Sequence, residues 1–198
     1  MKKIPLAYPE VTSSDIQNVI RVLKTPHISR GPVSQEFECA FAKYVGVRYA
    51  ISTNSGTSAL HLAIRALGIR DGDLVITTPM SFIASSHSIV FERAVPVFVD
   101  IEPVHLMIDP VLVERKIIEL RKKRKKVKAI LAVDLFGNIA DWKQLRKIAN
   151  KYKLALIEDS CEALGSYFRT GGVKKMAGSL GDVAAFGFYP NKTLTTGE

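Results

Sequence analysis

Two hydrophobic rhythms alternate along this chain. Short continuous apolar runs of strand length are separated by stretches in which apolar residues recur every three to four positions. The runs predict strands over 48–53, 73–77, 95–99, 127–133, 154–157 and 183–188. The intervening stretches predict helices. One covers 58–67, with Leu60, Ala63, Ile64 and Leu67 on a single face. A second covers 81–91, capped by Ser81. A third runs from 110 to about 125 and carries Val111, Val113, Ile117, Ile118 and Leu120. A fourth covers 141–152, capped by Asp141. Strands that alternate with helices predict an α/β fold in three layers, with helices on both faces of a mostly parallel sheet.

Residues 1–47 break the alternation. Helical patterns over 13–24 and 35–44 flank an irregular loop, Pro26 to Pro32. This stretch predicts a separate N-terminal helical arm, which either crosses onto a neighbouring molecule or lines the mouth of a site. The sheet domain then occupies residues 48–198.

Composition is that of a globular protein: 198 residues, 47% hydrophobic and 24% charged. No apolar stretch approaches the roughly 20 residues needed to span a bilayer. The N-terminus has two lysines but no long apolar segment behind them, so it does not read as a signal peptide. A cytoplasmic protein without membrane association is expected. Cys39 and Cys161 fit neither a metal-ligand spacing nor a disulfide framework, and reduced thiols are expected.

The net charge of +9 is concentrated in Arg121-Lys-Lys-Arg-Lys-Lys-Val-Lys128. Such a run can bind a polyanion, or it can be the solvated C-terminal end of a helix, where cations complement the dipole. No aromatic residues interleave with it and no nucleic-acid-binding motif accompanies it. The helix-end reading is preferred, and no specific nucleic-acid partner is expected.

In open parallel sheets, ligands collect at the carboxyl ends of the strands. That rule draws together four segments. Ser55-Gly56-Thr57-Ser58 opens a helix, and the helix N-terminus with its hydroxyls could cradle a phosphate. The same segment also reads as an ordinary capped turn. Phe82 could stack on a flat ring or pack in the core. Asp159 ends an apolar strand, where it could pair with a protonated pyridine nitrogen or cap a helix. Lys192 could form a Schiff base with an aldehyde cofactor, or sit on the surface after the Pro190-Asn191 turn. A lysine and a carboxylate on either side of a flat cationic ring are the kit of pyridoxal phosphate chemistry. His61, His87, His27 and His105 have no partners in the sequence that suggest chemistry.

Together these segments resemble a known family. They are Ile28-Ser-Arg-Gly-Pro-Val-Ser-Gln-Glu-Phe-Glu38, Asn54-Ser-Gly-Thr-Ser-Ala-Leu60, Pro79-Met-Ser-Phe-Ile-Ala84, Pro96-Val-Phe-Val-Asp100, Glu158-Asp-Ser-Cys-Glu-Ala-Leu-Gly165, Gly181-Asp182 and Phe188-Tyr-Pro-Asn-Lys-Thr-Leu-Thr-Thr-Gly-Glu198. The chain is similar to the pyridoxal phosphate-dependent nucleotide-sugar aminotransferases of the DegT/StrS type. The resemblance implies the large domain of the aspartate aminotransferase-like, fold type I class. It implies that Lys192 holds pyridoxal 5'-phosphate covalently and acts as the catalytic residue. Asp159 then meets the ring nitrogen, Gly56, Thr57 and Ser58 the phosphate, Phe82 the ring face, and Glu162 the neighbourhood of the ring oxygen.

The implied reaction moves an amino group from glutamate to a keto carbon of a nucleotide-linked sugar, within a homodimer. Lys192 separates the chain from a dehydratase branch that carries His there. Many relatives have Gln in place of Glu162 and Ser in place of Gly187. The first difference adds a negative charge, and the second removes a hydroxyl donor. The resemblance also implies a smaller C-terminal domain that this sequence does not contain. A catalytically incomplete cofactor-binding remnant is therefore the alternative expectation, ahead of a nucleic-acid-binding regulator.

Overall fold

The computed structural model describes residues 4, 5, 7–170 and 172–197. Among them are six helices: α1 (Ser13–Leu23), α2 (Pro32–Val45), α3 (Gly56–Ala66), α4 (Ala84–Phe91), α5 (Pro110–Lys122) and α6 (Trp142–Tyr152). The strands are β1 (Leu74–Thr77), β2 (Val95–Phe98), β3 (Val127–Val133), β4 (Ala155–Asp159), β5 (Tyr167–Thr170), β6 (Val173–Met176) and β7 (Val183–Ala185).

Five strands form one sheet in the order β2-β1-β3-β4-β7, and every neighbouring pair is parallel. The expected α/β architecture is present. β1 and β4 are almost wholly buried, as is β3 apart from Lys128, so the sheet is covered on both faces. Ile76, Ile130, Leu131, Leu156 and Ile157 have no solvent exposure, and Ile64, Ile117 and Leu145 close over them from the helices. Each such side chain contributes about 1.5–3 kcal/mol relative to an exposed position.

Several expectations are corrected. The stretch 48–53 is not a strand: it makes no ladder, and Tyr49 and Ile51 stand exposed. It is tied to α2 instead, because the Ser52 amide and hydroxyl both donate to Glu38 Oε1, at 2.8 and 2.7 Å. An apolar run forms a strand only where a partner strand offers hydrogen bonds.

Helix α4 begins at Ala84 rather than at Ser81, and no side chain caps it. The Ser81 hydroxyl is engaged by Ser85 Oγ at 2.6 Å. Helix α5 stops at Lys122, two residues before Arg124 turns left-handed at φ 56°. β4 continues through Asp159, and β7 ends at Ala185. Beyond β7, Phe186 and Phe188 pack edge-on against Phe41 of α2, with ring centroids 5.0 and 5.7 Å apart. The β5–β6 antiparallel hairpin was not expected.

The basic run lies at the exposed end of α5 and the turn into β3. Arg121 lies 4.8 Å from the centroid of the Tyr152 ring and donates to the Tyr152 carbonyl. Lys123 pairs with Glu119 and Lys126 with Asp73. These contacts match the helix-end reading. No helix among the described residues is long and apolar enough to cross a membrane.

Candidate active site

The parallel sheet brings its carboxyl ends to one edge, and a cavity of about 470 Å3 opens there. That is within the usual size of a small-ligand site. Gly56, Thr57, Phe82, Asp159, Glu162 and Lys192 all line it. Ser58 does not. Its amide and its hydroxyl are both hydrogen-bonded to Ser55 Oγ, each at 3.1 Å.

Lys192 Nζ lies 2.8 Å from Glu162 Oε1, and the pair is largely shielded from solvent. The lysine is placed by a tight turn in which its amide donates to the Tyr189 carbonyl at 2.9 Å. Glu162 Oε2 accepts from the Phe136 amide at 3.2 Å. Burial alone raises the Glu162 carboxyl. The hydrogen bond from Lys192, the Phe136 amide and the lysine charge outweigh it, and hold the carboxyl below its usual range.

Asp159 is 4% exposed. One of its oxygens accepts from Ser85 Oγ at 2.6 Å, and the other from the Cys161 amide at 3.2 Å. Burial pushes the neighbouring Cys161 thiol up, and the Asp159 charge adds to the effect. The Cys161 thiol is therefore held in its protonated form.

Behind β4 lies a second, fully buried polar layer. Glu158 accepts from the amides of Gly178, Leu180 and Gly181. Ser160 Oγ lies 3.1 Å from Asp134 Oδ2 and 3.0 Å from Glu158 Oε1. Gly178 is needed for this layer. Its φ is +90°, and a Cβ there would meet the Phe186 ring at 2.4 Å.

Helix α3 starts beside the cavity. Ser55 caps it by accepting from the Ser58 amide, leaving the first N–H groups of the helix without intrahelical partners. A Cβ at Gly56 would lie 3.2 Å from Cys161 Sγ and 3.3 Å from both Gly187 Cα and the Phe186 carbonyl. Only glycine fits there without displacing backbone.

The chain matches the DegT/DnrJ/EryC1/StrS aminotransferase family over residues 9–198. It belongs to that family. GDP-perosamine synthase of Caulobacter vibrioides is 40% identical over 199 residues, covering 100% of this chain and 51% of the relative. UDP-4-amino-4,6-dideoxy-N-acetyl-beta-L-altrosamine transaminase of Campylobacter jejuni is 36% identical over 196 residues, covering 98% and 50%.

Among solved structures, Helicobacter pylori PseC, an aminotransferase of pseudoaminic acid biosynthesis, superposes with a TM-score of 0.89. It is 30% identical and covers 100% of this chain and 51% of its own. The PLP-form of Spr1654 from Streptococcus pneumoniae gives a TM-score of 0.90 at 30% identity, covering 100% and 52%. The chain thus spans about half the length of the relatives it matches. DegT/DnrJ/EryC1/StrS aminotransferases depend on pyridoxal phosphate.

The residues present fit that cofactor. A buried carboxylate, a lysine amine and a helix N-terminus open onto one cavity. The Phe82 ring stands 72% exposed at its rim. Both oxygens of Asp159 keep acceptor capacity beyond the donors they already have.

Four features of this DegT/StrS site escaped the sequence reading. Ser81, Ser85, Tyr189 and Asn191 all line the cavity, Ser85 against Asp159 and the last two beside Lys192. The spacing Ser81-x-x-x-Ser85 places two hydroxyls one helical turn apart, and it was the only available signal. The histidines lie elsewhere. His61 pairs with Glu92 at 2.7 Å, and His105 lies 3.5 Å from Glu102. Neither lines the cavity.

Proposed function

We propose that the protein transfers an amino group from glutamate to a keto carbon of a nucleotide-linked sugar. Its product would feed polysaccharide or glycoconjugate biosynthesis. The nucleotide-sugar class follows that of the GDP-perosamine synthase and UDP-amino-sugar transaminase relatives. The reading includes a cytoplasmic homodimer, with residues 48–198 as the cofactor-binding domain and residues 1–47 as an arm beside it.

One observation carries the proposal. The Lys192 amine and the buried Asp159 carboxylate open onto a single cavity that also receives the N-terminus of α3. When bound, pyridoxal phosphate supplies an aldehyde that captures amines and a cationic ring that draws electrons from the adjoining carbon.

The residues of this chain do the rest. Asp159 holds a proton at the ring nitrogen. The amides of Gly56 and Thr57 and the Thr57 hydroxyl hold the phosphate, aided by the helix dipole. Phe82 covers one ring face and excludes water from it. Lys192 would anchor the cofactor, and its amine is placed to move a proton at the substrate carbon. Glu162 would pair with the Lys192 amine whenever it is protonated.

The test is an assay with glutamate and a series of keto-sugar nucleotides, following 2-oxoglutarate release. Transfer to a sugar nucleotide supports the reading. Cofactor attachment without any transfer supports the binding-only alternative. Failure to bind the cofactor refutes both.

A further inference from the structure

We infer that Ser81 and Ser85 form a one-way hydroxyl chain that positions Asp159 for the cofactor ring. Ser85 is the second residue of α4 and is 2% exposed. Its Oγ lies 2.6 Å from Asp159 Oδ2, the short distance of a charge-assisted bond. A serine hydroxyl has one hydrogen, and a carboxylate only accepts. The Ser85 hydrogen is therefore committed to Asp159. Ser81 Oγ, 2.6 Å from Ser85 Oγ, must then be the donor in that contact. The chain runs Ser81 to Ser85 to Asp159.

The Cys161 amide, just past the end of β4, meets the other Asp159 oxygen, so both oxygens are held by neighbours in the cavity wall. The carboxylate is held in one rotamer with its remaining lone pairs available to a ring N–H. Phe82 lies between the two serines in sequence and lines the cavity with them. The turn that aims the carboxylate thus also carries the ring platform.

Ser81 and Ser85 are positioning residues that act through Asp159. The inference rests on the pyridoxal phosphate reading, and its test separates the two. Wild type, Ser85→Ala, Ser85→Thr, Asp159→Asn and the double variant Ser85→Ala/Asp159→Asn are titrated with pyridoxal phosphate, following absorbance. The pH midpoint of the visible band is recorded for each loaded protein.

Losing a hydrogen bond to a charged partner should weaken cofactor affinity in Ser85→Ala by about tenfold to a hundredfold. Without a firmly held ring proton, the ring withdraws fewer electrons and the pH midpoint moves upward. Ser85→Thr, which keeps the hydroxyl, should recover most of both effects. In the Asp159→Asn background, Ser85→Ala should add little.

Thermal unfolding of the cofactor-free proteins supplies a readout independent of loading. A merely structural serine would lower the melting temperature and leave the pH midpoint where it is. That result, or unchanged affinity and midpoint in Ser85→Ala, overturns the inference. If Ser85→Ala does not fold, Ser85→Cys, close in shape and weaker as a donor, is read by the same measurements. Absence of any binding by wild type refutes the underlying cofactor reading instead.

Discussion

Lys192 Nζ and Glu162 Oε1 lie 2.8 Å apart at the rim of the cavity, so the lysine that would anchor the cofactor begins in an ion pair. The pair must open before the amine can attack an aldehyde. Glu162→Gln keeps an acceptor but removes the charge. Cofactor loading at pH 7 should become several-fold faster in that variant, followed by stopped-flow absorbance.

The stability effect should be small because both groups are partly exposed: below about 1 kcal/mol at pH 7. Its sign follows from the lowered Glu162 carboxyl. The contribution is present above the unfolded carboxylate range and is lost as pH falls through the folded value. Urea unfolding of both proteins at pH 7 and pH 3 should show the difference disappearing at the lower pH.

A buried proton at Asp134 would complete the contacts among Asp134, Ser160 and Glu158. The single Ser160 hydrogen cannot serve both carboxyls. Glu158 already gathers three amides. With Asp134 protonated, Ser160 can donate to Glu158 and accept from Asp134. Burial, followed by the Glu158 charge, raises the Asp134 carboxyl well above its usual range. A raised carboxyl stabilises the fold below the unfolded value, and that stability is lost as pH rises through the folded value.

Asp134→Asn keeps an acceptor for the Ala140 amide and Trp142 Nε1 and places an N–H where the proton sits. It should therefore unfold with a flatter pH dependence between pH 4 and 8 than wild type. Asp134→Ala strands both donors and should cost more than about 2 kcal/mol. Equal slopes for wild type and Asp134→Asn would exclude the buried proton.

Phe82 separates cofactor binding from folding. Its ring is exposed, so Phe82→Ala should change stability by less than about 0.5 kcal/mol. Removing a stacking face should weaken pyridoxal phosphate binding by about 1 kcal/mol, roughly fivefold. Chemical unfolding and cofactor titration on one preparation measure both.

The two glycines at the cradle should behave oppositely. A Cβ at Gly187 would meet Cys161 Cβ at 3.6 Å and its sulfur at 3.5 Å, which is ordinary contact. Gly187→Ser should fold normally and, by adding a donor near the α3 N-terminus, strengthen cofactor binding several-fold. Gly56→Ala crowds backbone on two sides and should weaken it at least tenfold. Cofactor titration of the two variants shows whether the phosphate sits at this cradle.

Much of the site was legible because its residues follow strand ends. Asp159 and Lys192 each close or trail an apolar run, and periodicity locates such runs well. The stretch 48–53 misled because an apolar run shows strand character but not whether a partner lies beside it. Ser81 read as a helix cap because serine favours that role, whereas its hydroxyl is committed to Ser85. The chain from Ser81 to Asp159 joins the loop after β1, α4 and β4, and no local pattern records the contact between Ser85 and Asp159, 74 positions apart. The β5–β6 hairpin carried a signal in Gly171-Gly172 between two short runs.

Reductive trapping tests the central claim most directly. The protein is incubated with pyridoxal phosphate, reduced with borohydride, digested and mapped by mass spectrometry. The expected result is a single modified peptide carrying the label at Lys192, absent from Lys192→Ala. A label confined to other lysines, or no label at saturating cofactor, contradicts the proposed chemistry.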